Sequence, residues 1–524
     1  MISPLYNYPS YETNDLLTCA VKKLFNLSYL FPYQRLVITN ILEAASVSGI
    51  PVNWPEQKSE ILKTSADELP EEPSDRESLG RQVVILPTGA GKSLCFQLPA
   101  MLIDGLTLVI YPILSLMADQ ERRLRERGFS PVIIRGGQTK EEREQIWEKL
   151  RNKQSKFIIA NPEVLNTAQV KTQLEKIRVT HAVIDEAHCV SEWGESFRPS
   201  YLEIGPIIEM LNPPMITAFT ATASPPVLEK IKKYIFGSME AHQITGNPDR
   251  PNISYSAVGC INRNLAVRDL LINNARPAIV FCSSRPGTEK LARYLINEFI
   301  EMRFPWHNEI KFYHAGLSRE EKAELEKWFI KNPEAVLVST CAFGMGVDKA
   351  DVRTVIHRDC APSVEAYLQE SGRAGRDGEQ SKAILLFGPD DETAFARTKT
   401  DAERNRLSTL LNYARDTSRC RRHSLLAMLD YDAKGEVPEK QCCDVCEKKA
   451  SPFLREESSI YDFFRRNKRR FTAEKAASVL AESETIRWSQ EDAANVVDLL
   501  LKTGKLKKEK NLFWKNKITV FNQP

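Results

Sequence analysis

Two hydrophobic periods divide this chain. Five runs, "QVVILP", "LTLVIYP", "KFIIAN", "HAVIDEA" and "MITAFTA", are apolar without alternation, and five more follow: "PAIVFCSS", "IKFYHAG", "AVLVSTC", "RTVIHR" and "KAILLFG". Continuous apolar strands are those buried on both faces of a sheet. Amphipathic stretches of helical period lie between them, and this alternation predicts parallel sheets covered on both sides. The two series meet near Phe236 to Asn252, which predicts two α/β domains in tandem, 1–238 and 239–392.

The pattern lapses in one internal place and changes near the C-terminal end. From 46 to 80 the sequence holds eight acidic residues, three basic ones and four prolines with little periodicity, and an insertion or mobile loop is expected there. A short cysteine-bearing helical region is expected over 393–452 and a small helical domain over 453–524. In the latter, Thr472 and Ser489 read as helix N-caps, and Ser489 with Asp492 as a capping box. "ANVVDLLLKTG" reads as a helix closed by Gly504, and "KLKKEKNLFWKNKITVF" as two short strands around Asn511.

Composition narrows the class. A chain of 524 residues with 42% hydrophobic and 27% charged residues has the makeup of several ordinary globular domains. No apolar run approaches the ~18 residues of a membrane span, and the first residues lack the pattern of a signal peptide. A cytoplasmic protein without membrane contact is expected. The net charge is +3, but residues 455–524 carry 15 Lys and Arg against 10 Asp and Glu, so the basic excess sits at one end. That division points to a polyanionic partner there. Of eleven cysteines, seven are scattered singly, while Cys420, Cys442, Cys443 and Cys446 cluster. In a reducing compartment such a cluster favours a metal over disulfides.

Candidate chemistry begins at "LPTGAGKS", 86–93, between a strand and a helix. Such a turn offers backbone N–H groups and a positive helix end to phosphates. Thr88, Gly89, Ala90 and Gly91 would cradle them, Lys92 would reach the β- and γ-phosphates, and Ser93 would ligate Mg²⁺. "VIDEAH" ends a strand in two carboxylates: Asp185 to hold the Mg²⁺ and Glu186 to polarise the attacking water. Together they indicate nucleoside triphosphate hydrolysis. "QESGRAGRDG" adds Arg373 and Arg376, three residues apart and close to one helical face, as charges able to neutralise a γ-phosphate. Four thiolates, Cys420, Cys442, Cys443 and Cys446, suit tetrahedral Zn²⁺, with His423 as a reserve ligand.

"TGAGKS", "DEAH", "TAT" (220–222), "FGMGVDKADV" and "QESGRAGRDG" stand in the order of superfamily-two helicases. "AHCVSEWGESFRP" and "STCAFGMGVDK" resemble the RecQ family of DNA helicases, over about Phe25 to Cys446. The resemblance implies an α/β protein of two tandem RecA-like parallel-sheet domains, a zinc-binding helical subdomain and a winged-helix-like C-terminal domain. It implies an ATP-dependent DNA helicase moving 3′ to 5′ on single strands and unwinding duplex DNA in replication, recombination or repair. The alternatives are an RNA-directed unwindase and an ATPase that does not unwind. ATP, Mg²⁺ and Zn²⁺ are the implied cofactors. Single-stranded and duplex DNA are the implied partners, with single-stranded-DNA-binding or repair proteins as candidates, in a monomer that would sit at the nucleoid in a bacterium.

The same resemblance carries roles to positions. Gln34 would read adenine, and Gly346 and Asp348 would contact nucleotide from the second domain. Trp193, Phe197 and Arg198 would stack on or grip single-stranded DNA; for the two aromatics a place in the core is the other reading. Departures are visible too. Glu195-Ser196 replaces the family's His-Asp, Phe31 stands where an arginine belongs, and Lys440 stands where a ligand cysteine is common, leaving adjacent Cys442 as its substitute. Phe513 and Trp514 would either wedge duplex DNA or close the last domain's core. No further module is expected after that domain.

Overall fold

The structure, a computed structural model, describes residues 16–55, 79–87, 90–193, 198–344, 349–398, 400–431, 438, 441–483, 488–510 and 512–520. The chain divides into two compact units, Met1–Asp249 and Arg250–Pro524.

The first unit is built on seven parallel strands. They are β1 (Arg81–Ile85), β2 (Leu106–Ile110), β3 (Val132–Ile134), β4 (Phe157–Ala160), β5 (Val179–Ile184), β6 (Met215–Thr220) and β7 (His242–Thr245), in the order β3-β4-β2-β5-β6-β1-β7. Every residue of β2, β5 and β6 is buried, as continuous apolar runs require of central strands. Val83, Leu108, Ile158, Ile184 and Ile216 of the sheet pack with Leu165, Ile204 and Ile231 of the helices in one cluster. Each such side chain contributes roughly 1.5–3 kcal/mol by leaving water. The strand order sets β1, β6 and β5 side by side, so the loops after all three open at one carboxyl edge, where open parallel sheets bind ligands.

The second unit holds six parallel strands: β8 (Ile253–Gly259), β9 (Ala278–Phe281), β10 (Ile310–Tyr313), β11 (Val336–Ser339), β12 (Thr354–His357) and β13 (Ser381–Phe387), ordered β10-β11-β9-β12-β13-β8. The ten expected strands are all present. The three that pattern missed, β3, β7 and β8, are edge strands. β8 buries only alternate residues, and β7 buries only Ile244, so neither makes a continuous apolar run.

Two further layers cover the second sheet. Helices Asp401–Arg415 and Arg421–Met428 pack on it with Leu407, Leu410 and Leu425, beside Cys442 and Cys443. The last seventy residues form helices Glu457–Arg466, Ala473–Ala481 and Gln490–Lys502 and an antiparallel pair, β14 (Leu506–Lys508) and β15 (Ile518–Val520). Thr472 and Ser489 cap as expected, each accepting a backbone N–H, from Lys475 and Asp492. Gly504 follows the last helix with φ +75°. The Asp492 carboxylate takes the Ser489 hydroxyl at 2.8 Å and the hydroxyl of Tyr294, on helix Arg285–Glu301, at 3.1 Å. Ile261 and Leu265 of the second sheet's flank are buried among Ile460, Phe464, Leu480 and Leu500, so this region shares a core with the sheet domain. Phe513 and Trp514 do not close that core; they are 86% and 43% exposed, and Trp488 fills it instead.

Candidate active site

The phosphate loop leaves β1 tethered to its neighbour, Leu86 N–H donating to the Thr220 carbonyl at the end of β6 at 3.0 Å. Thr88 and Gly89 lie outside the described residues. Gly91 caps helix Lys92–Leu102 with φ +74°, and a Cβ there would stand 2.5 Å from Gln34 Nε2, so only glycine lets the loop pass. Lys92 and Ser93 occupy the first turn of the helix, whose leading N–H groups have no partner within it. Gln34 is buried against the loop: its Oε1 accepts the Phe31 N–H at 3.0 Å, and its Nε2 donates to the Ala90 carbonyl at 2.9 Å.

The DEAH residues face this loop. Asp185 and Glu186 follow β5, and Glu186 turns the chain with φ +50°, its N–H donating to Asp185 Oδ1 at 2.9 Å. Glu186 Oε1 lies 3.9 Å from Lys92 Nζ. Burial pushes the Asp185 carboxyl up to about 6; the Glu186 charge adds to the rise, while Lys92 opposes it. His188 Nδ1 lies 3.0 Å from the Thr220 hydroxyl, whose own proton goes to the Thr222 carbonyl at 2.8 Å. The proton between His188 and Thr220 therefore sits on Nδ1. His188 so stands between Glu186, whose Oε2 is 3.5 Å from its Nδ1, and the "TAT" segment.

The arginine pair is not helical. Helix Val364–Ser371 ends before it, and Arg373 and Arg376 lie on the following turn, because Gly375 reverses the chain with φ +56°. A Cβ at Gly375 would meet Asn252 Nδ2 at 2.5 Å. Arg250 donates to the carbonyls of Gly372, Ala374 and Gly375, and Asn252 to those of Gly375 and Glu379. These two residues, in a stretch that reads as linker, hold the turn. Gly346 and Asp348 lie outside the described residues.

In the aromatic loop, Trp193 ends helix Cys189–Trp193, and Phe197 lies outside the described residues. Arg198 spends its guanidinium on the protein: on Glu163 Oε1 at 2.6 Å, on the Pro112 carbonyl, and over the Tyr201 ring at 5.4 Å. It ties the "YPILSL" and "NPEVL" segments together. Glu163 was not singled out by sequence; it is the acidic residue of "NPEVL".

Four sulfurs converge in the second unit. Cys420, Cys442, Cys443 and Cys446 offer ligand atoms all within 4.8 Å of one another. Cys420 Sγ lies 3.6 Å from Cys442 Sγ and 3.9 Å from Cys443 Sγ, bracketing the ~3.8 Å edge of a tetrahedron with 2.3 Å Zn–S bonds. Cys443 Sγ also accepts the N–H groups of Arg421 and Cys446. Cys442 takes the second position, as its adjacency suggested, and His423 is exposed on its helix.

Known proteins match these parts. The DEAD/DEAH box helicase model covers residues 32–231, the helicase conserved C-terminal domain 262–378 and the RecQ zinc-binding model 388–447. The ATP-dependent DNA helicase RecQ of Bacillus subtilis is 33% identical over 415 residues, which are 76% of this chain and 68% of that protein. The chain belongs to the RecQ helicase family. RecQ of Pasteurella multocida is 34% identical over 72% of this chain, and the chain spans 59% of that relative's length. Among solved structures, the helicase MrfA bound to DNA aligns with TM-score 0.53 at 18% identity, over 77% of this chain and 57% of that one. The DEAD-box helicase Mss116 bound to single-stranded RNA aligns with TM-score 0.54 at 18% identity, over 93% and 89%. Both share the fold.

Family membership makes the sulfur cluster a zinc site, and the structure shows what anchors this RecQ zinc module. Arg421 and Arg422, next to a ligand cysteine, are each 1% exposed. Arg421 pairs with Asp444 at 2.9 Å, and Asp444 accepts the Ala257 N–H of β8 at 3.0 Å. Arg422 donates to the carbonyls of Arg250 and Ile253. Neither arginine stood out in the sequence, because adjacent arginines ordinarily stay in water. The aspartate lodged between two ligand cysteines was the available signal.

Proposed function

We propose that this chain is an ATP-dependent DNA helicase that moves 3′ to 5′ along single-stranded DNA and unwinds duplex DNA. The observation that carries the reading is Lys92 facing Glu186 across 3.9 Å at the carboxyl edge of a parallel sheet, in a chain of the RecQ family. Lys92 and the loop Thr88–Gly91 bind the β- and γ-phosphates, and Gln34 braces that loop. Glu186 orients and polarises the attacking water. His188 relays the state of the nucleotide to the "TAT" segment through Thr220. A buried carboxylate, Asp185, and a half-buried one, Glu186, beside Lys92 fit a divalent cation, and Ser93 and Asp185 would hold Mg²⁺, which would supply Lewis-acid stabilisation of phosphoryl charge. Arg373 and Arg376, with Gly346 and Asp348, serve the nucleotide from the second unit, the arginines offsetting charge in the transition state.

Trp193 and Phe197 stack on bases without regard to sequence. Arg198 sets the loop's course by holding Glu163, and the segments it ties together bear on the DNA backbone. The domains are 1–238, 239–392, the zinc-binding 393–452, and a winged-helix-like domain over 453–524. In that last region Thr472 bridges to Lys517, which brings the basic stretches 465–470 and 505–517 to one side, suited to duplex phosphates. The exposed Phe513 is the candidate wedge.

Strand displacement on forked duplexes with 3′ or 5′ tails tests the proposal. Unwinding is expected with the 3′ tail, dependent on ATP. In Lys92→Ala, DNA-stimulated hydrolysis should fall by more than about a hundredfold while DNA binding persists. Wild-type turnover by a folded Lys92→Ala protein would sink the motor reading, and stimulation by RNA but not DNA would turn it toward an RNA unwindase.

A further inference from the structure

The turn that carries the two arginines is buried over its first part, Gly372 to Gly375. Its backbone groups therefore need partners within the protein. On one side the N–H groups of Gly375 and Asp377 donate to the carbonyls of Val352 and Ala350, at 2.8 and 3.2 Å, and Arg353 pairs with Asp377. On the other side the carbonyls are taken by two side chains from the start of the second unit. Arg250 reaches those of Gly372 and Ala374 at 3.1 Å and that of Gly375 at 2.8 Å. Asn252 reaches Gly375 at 2.8 Å and Glu379 at 2.9 Å. The Gly375 carbonyl, which belongs to the peptide bond to Arg376, is thus held twice.

Arg250 is itself fastened. Its carbonyl accepts from Arg422 at 2.9 Å and from the Ile253 N–H at 2.9 Å, and Arg422, 1% exposed, also donates to the Ile253 carbonyl at 2.6 Å. The Asn252 carbonyl accepts the N–H of Ser381, the first residue of β13, at 2.9 Å. The Arg250 side chain so spans from a fixed backbone just before β8 to the arginine turn.

We infer that Arg250 is a positioning residue of the hydrolysis step, setting the Gly375–Arg376 peptide so that Arg376 meets the charge that develops on the γ-phosphate. The inference rests on the role given to Arg376 above. A guanidinium is planar and rigid, so its donors hold several carbonyls at set distances and angles, where a lysine would act as a point charge. Its removal strands three carbonyls of buried residues, and the turn shifts to find other partners or water. Stabilisation of a transition state depends on placement, and a displacement of about 1 Å can cost about a hundredfold in rate. The phosphate loop belongs to the first unit and keeps its own contacts, so kcat falls while KM holds.

The test is steady-state ATP hydrolysis by the full chain at saturating single-stranded DNA. Arg250→Ala should lower kcat by about a hundredfold, with KM for ATP and affinity for the DNA within about twofold of the wild type. In an Arg376→Ala background the same substitution should cost less than about threefold, because it acts through an arginine already gone. Losses that multiply across the two variants, or a rise in KM that accounts for the fall in kcat/KM, overturn the inference and leave the motor reading standing. Wild-type kcat in Arg376→Ala sinks the role of that arginine and the inference with it. Should Arg250→Ala fail to fold, Asn252→Ala releases the same Gly375 carbonyl and repeats the cycle. Its expected loss in kcat is about tenfold in the otherwise wild-type chain and none in Arg376→Ala. An equal loss in both backgrounds overturns the inference.

Discussion

A single buried carboxylate holds much of the zinc module in place. Asp444 takes both the Arg421 guanidinium and the Ala257 N–H, so Asp444→Ala leaves a buried arginine uncompensated. A cost of about 3–5 kcal/mol is expected, read as a lower unfolding midpoint and reduced zinc content; an unchanged midpoint would refute the anchoring role. At the other site, Glu186→Gln should retain bound nucleotide while hydrolysis stops, because the amide keeps the shape but cannot accept a proton from water. Rapid release of ATP by that variant would count against water positioning. Both carboxylates of "DEAH" were legible from their place at a strand end. Asp444 was not: its partner is 23 residues away along the chain, and only folding brings a charge of opposite sign to it.

Among elements, the junction between the second sheet domain and the C-terminal helices loses stability as pH rises. Glu456 starts helix Glu457–Arg466 in the left-handed region, φ +62°, and Arg455 N–H donates to the Gly259 carbonyl beside it. Burial pushes the Glu456 carboxyl up to about 7; Asp269 adds to the rise, while Arg455 and the Ile261 N–H oppose it. A carboxyl raised on folding costs nothing below its unfolded value near 4.5 and costs progressively more as pH rises toward 7. Glu456→Gln should therefore match the wild type at pH 4.5 and be more stable at pH 8, with the gap opening between. Equal midpoints at pH 8 would refute the prediction. The zinc module gives a second test at this scale. One zinc per chain is expected, and Cys420→Ser or Cys446→Ser should lower both zinc content and soluble yield, since structural zinc contributes folding energy directly. Elemental analysis well under one zinc per chain would reject this. Continuous apolar strands could be read off the sequence, but β8 could not, because an edge strand against the zinc module buries only every second residue.

For the whole molecule, a chain ending after about Leu454 should still hydrolyse ATP with single-stranded DNA but unwind duplex poorly. Its log affinity against log salt should flatten by about 0.9 for each duplex phosphate that the shortened chain no longer neutralises. The cut also uncovers Ile261 and Leu265, buried at 3% and 5%, so the shortened chain should be less soluble until both are made polar. Unwinding at the full rate by the shortened chain would remove any role for residues 455–524. The sequence by itself determined the two parallel sheets, the motif order along them, the helix caps at Thr472 and Ser489, and the cysteine quartet. All of these rest on local signals: periodicity, turn residues and ligand chemistry at short spacing. Only the tertiary structure decided where the long-range polar partners go. It spends Arg198 on Glu163 and Gln34 on the phosphate loop, sets the arginine turn on Arg250 and Asn252, and leaves Phe513 exposed while Trp488 fills the core. A buried polar group must be paired, and which distant group pairs with it is settled by packing rather than by anything its neighbours in the sequence reveal.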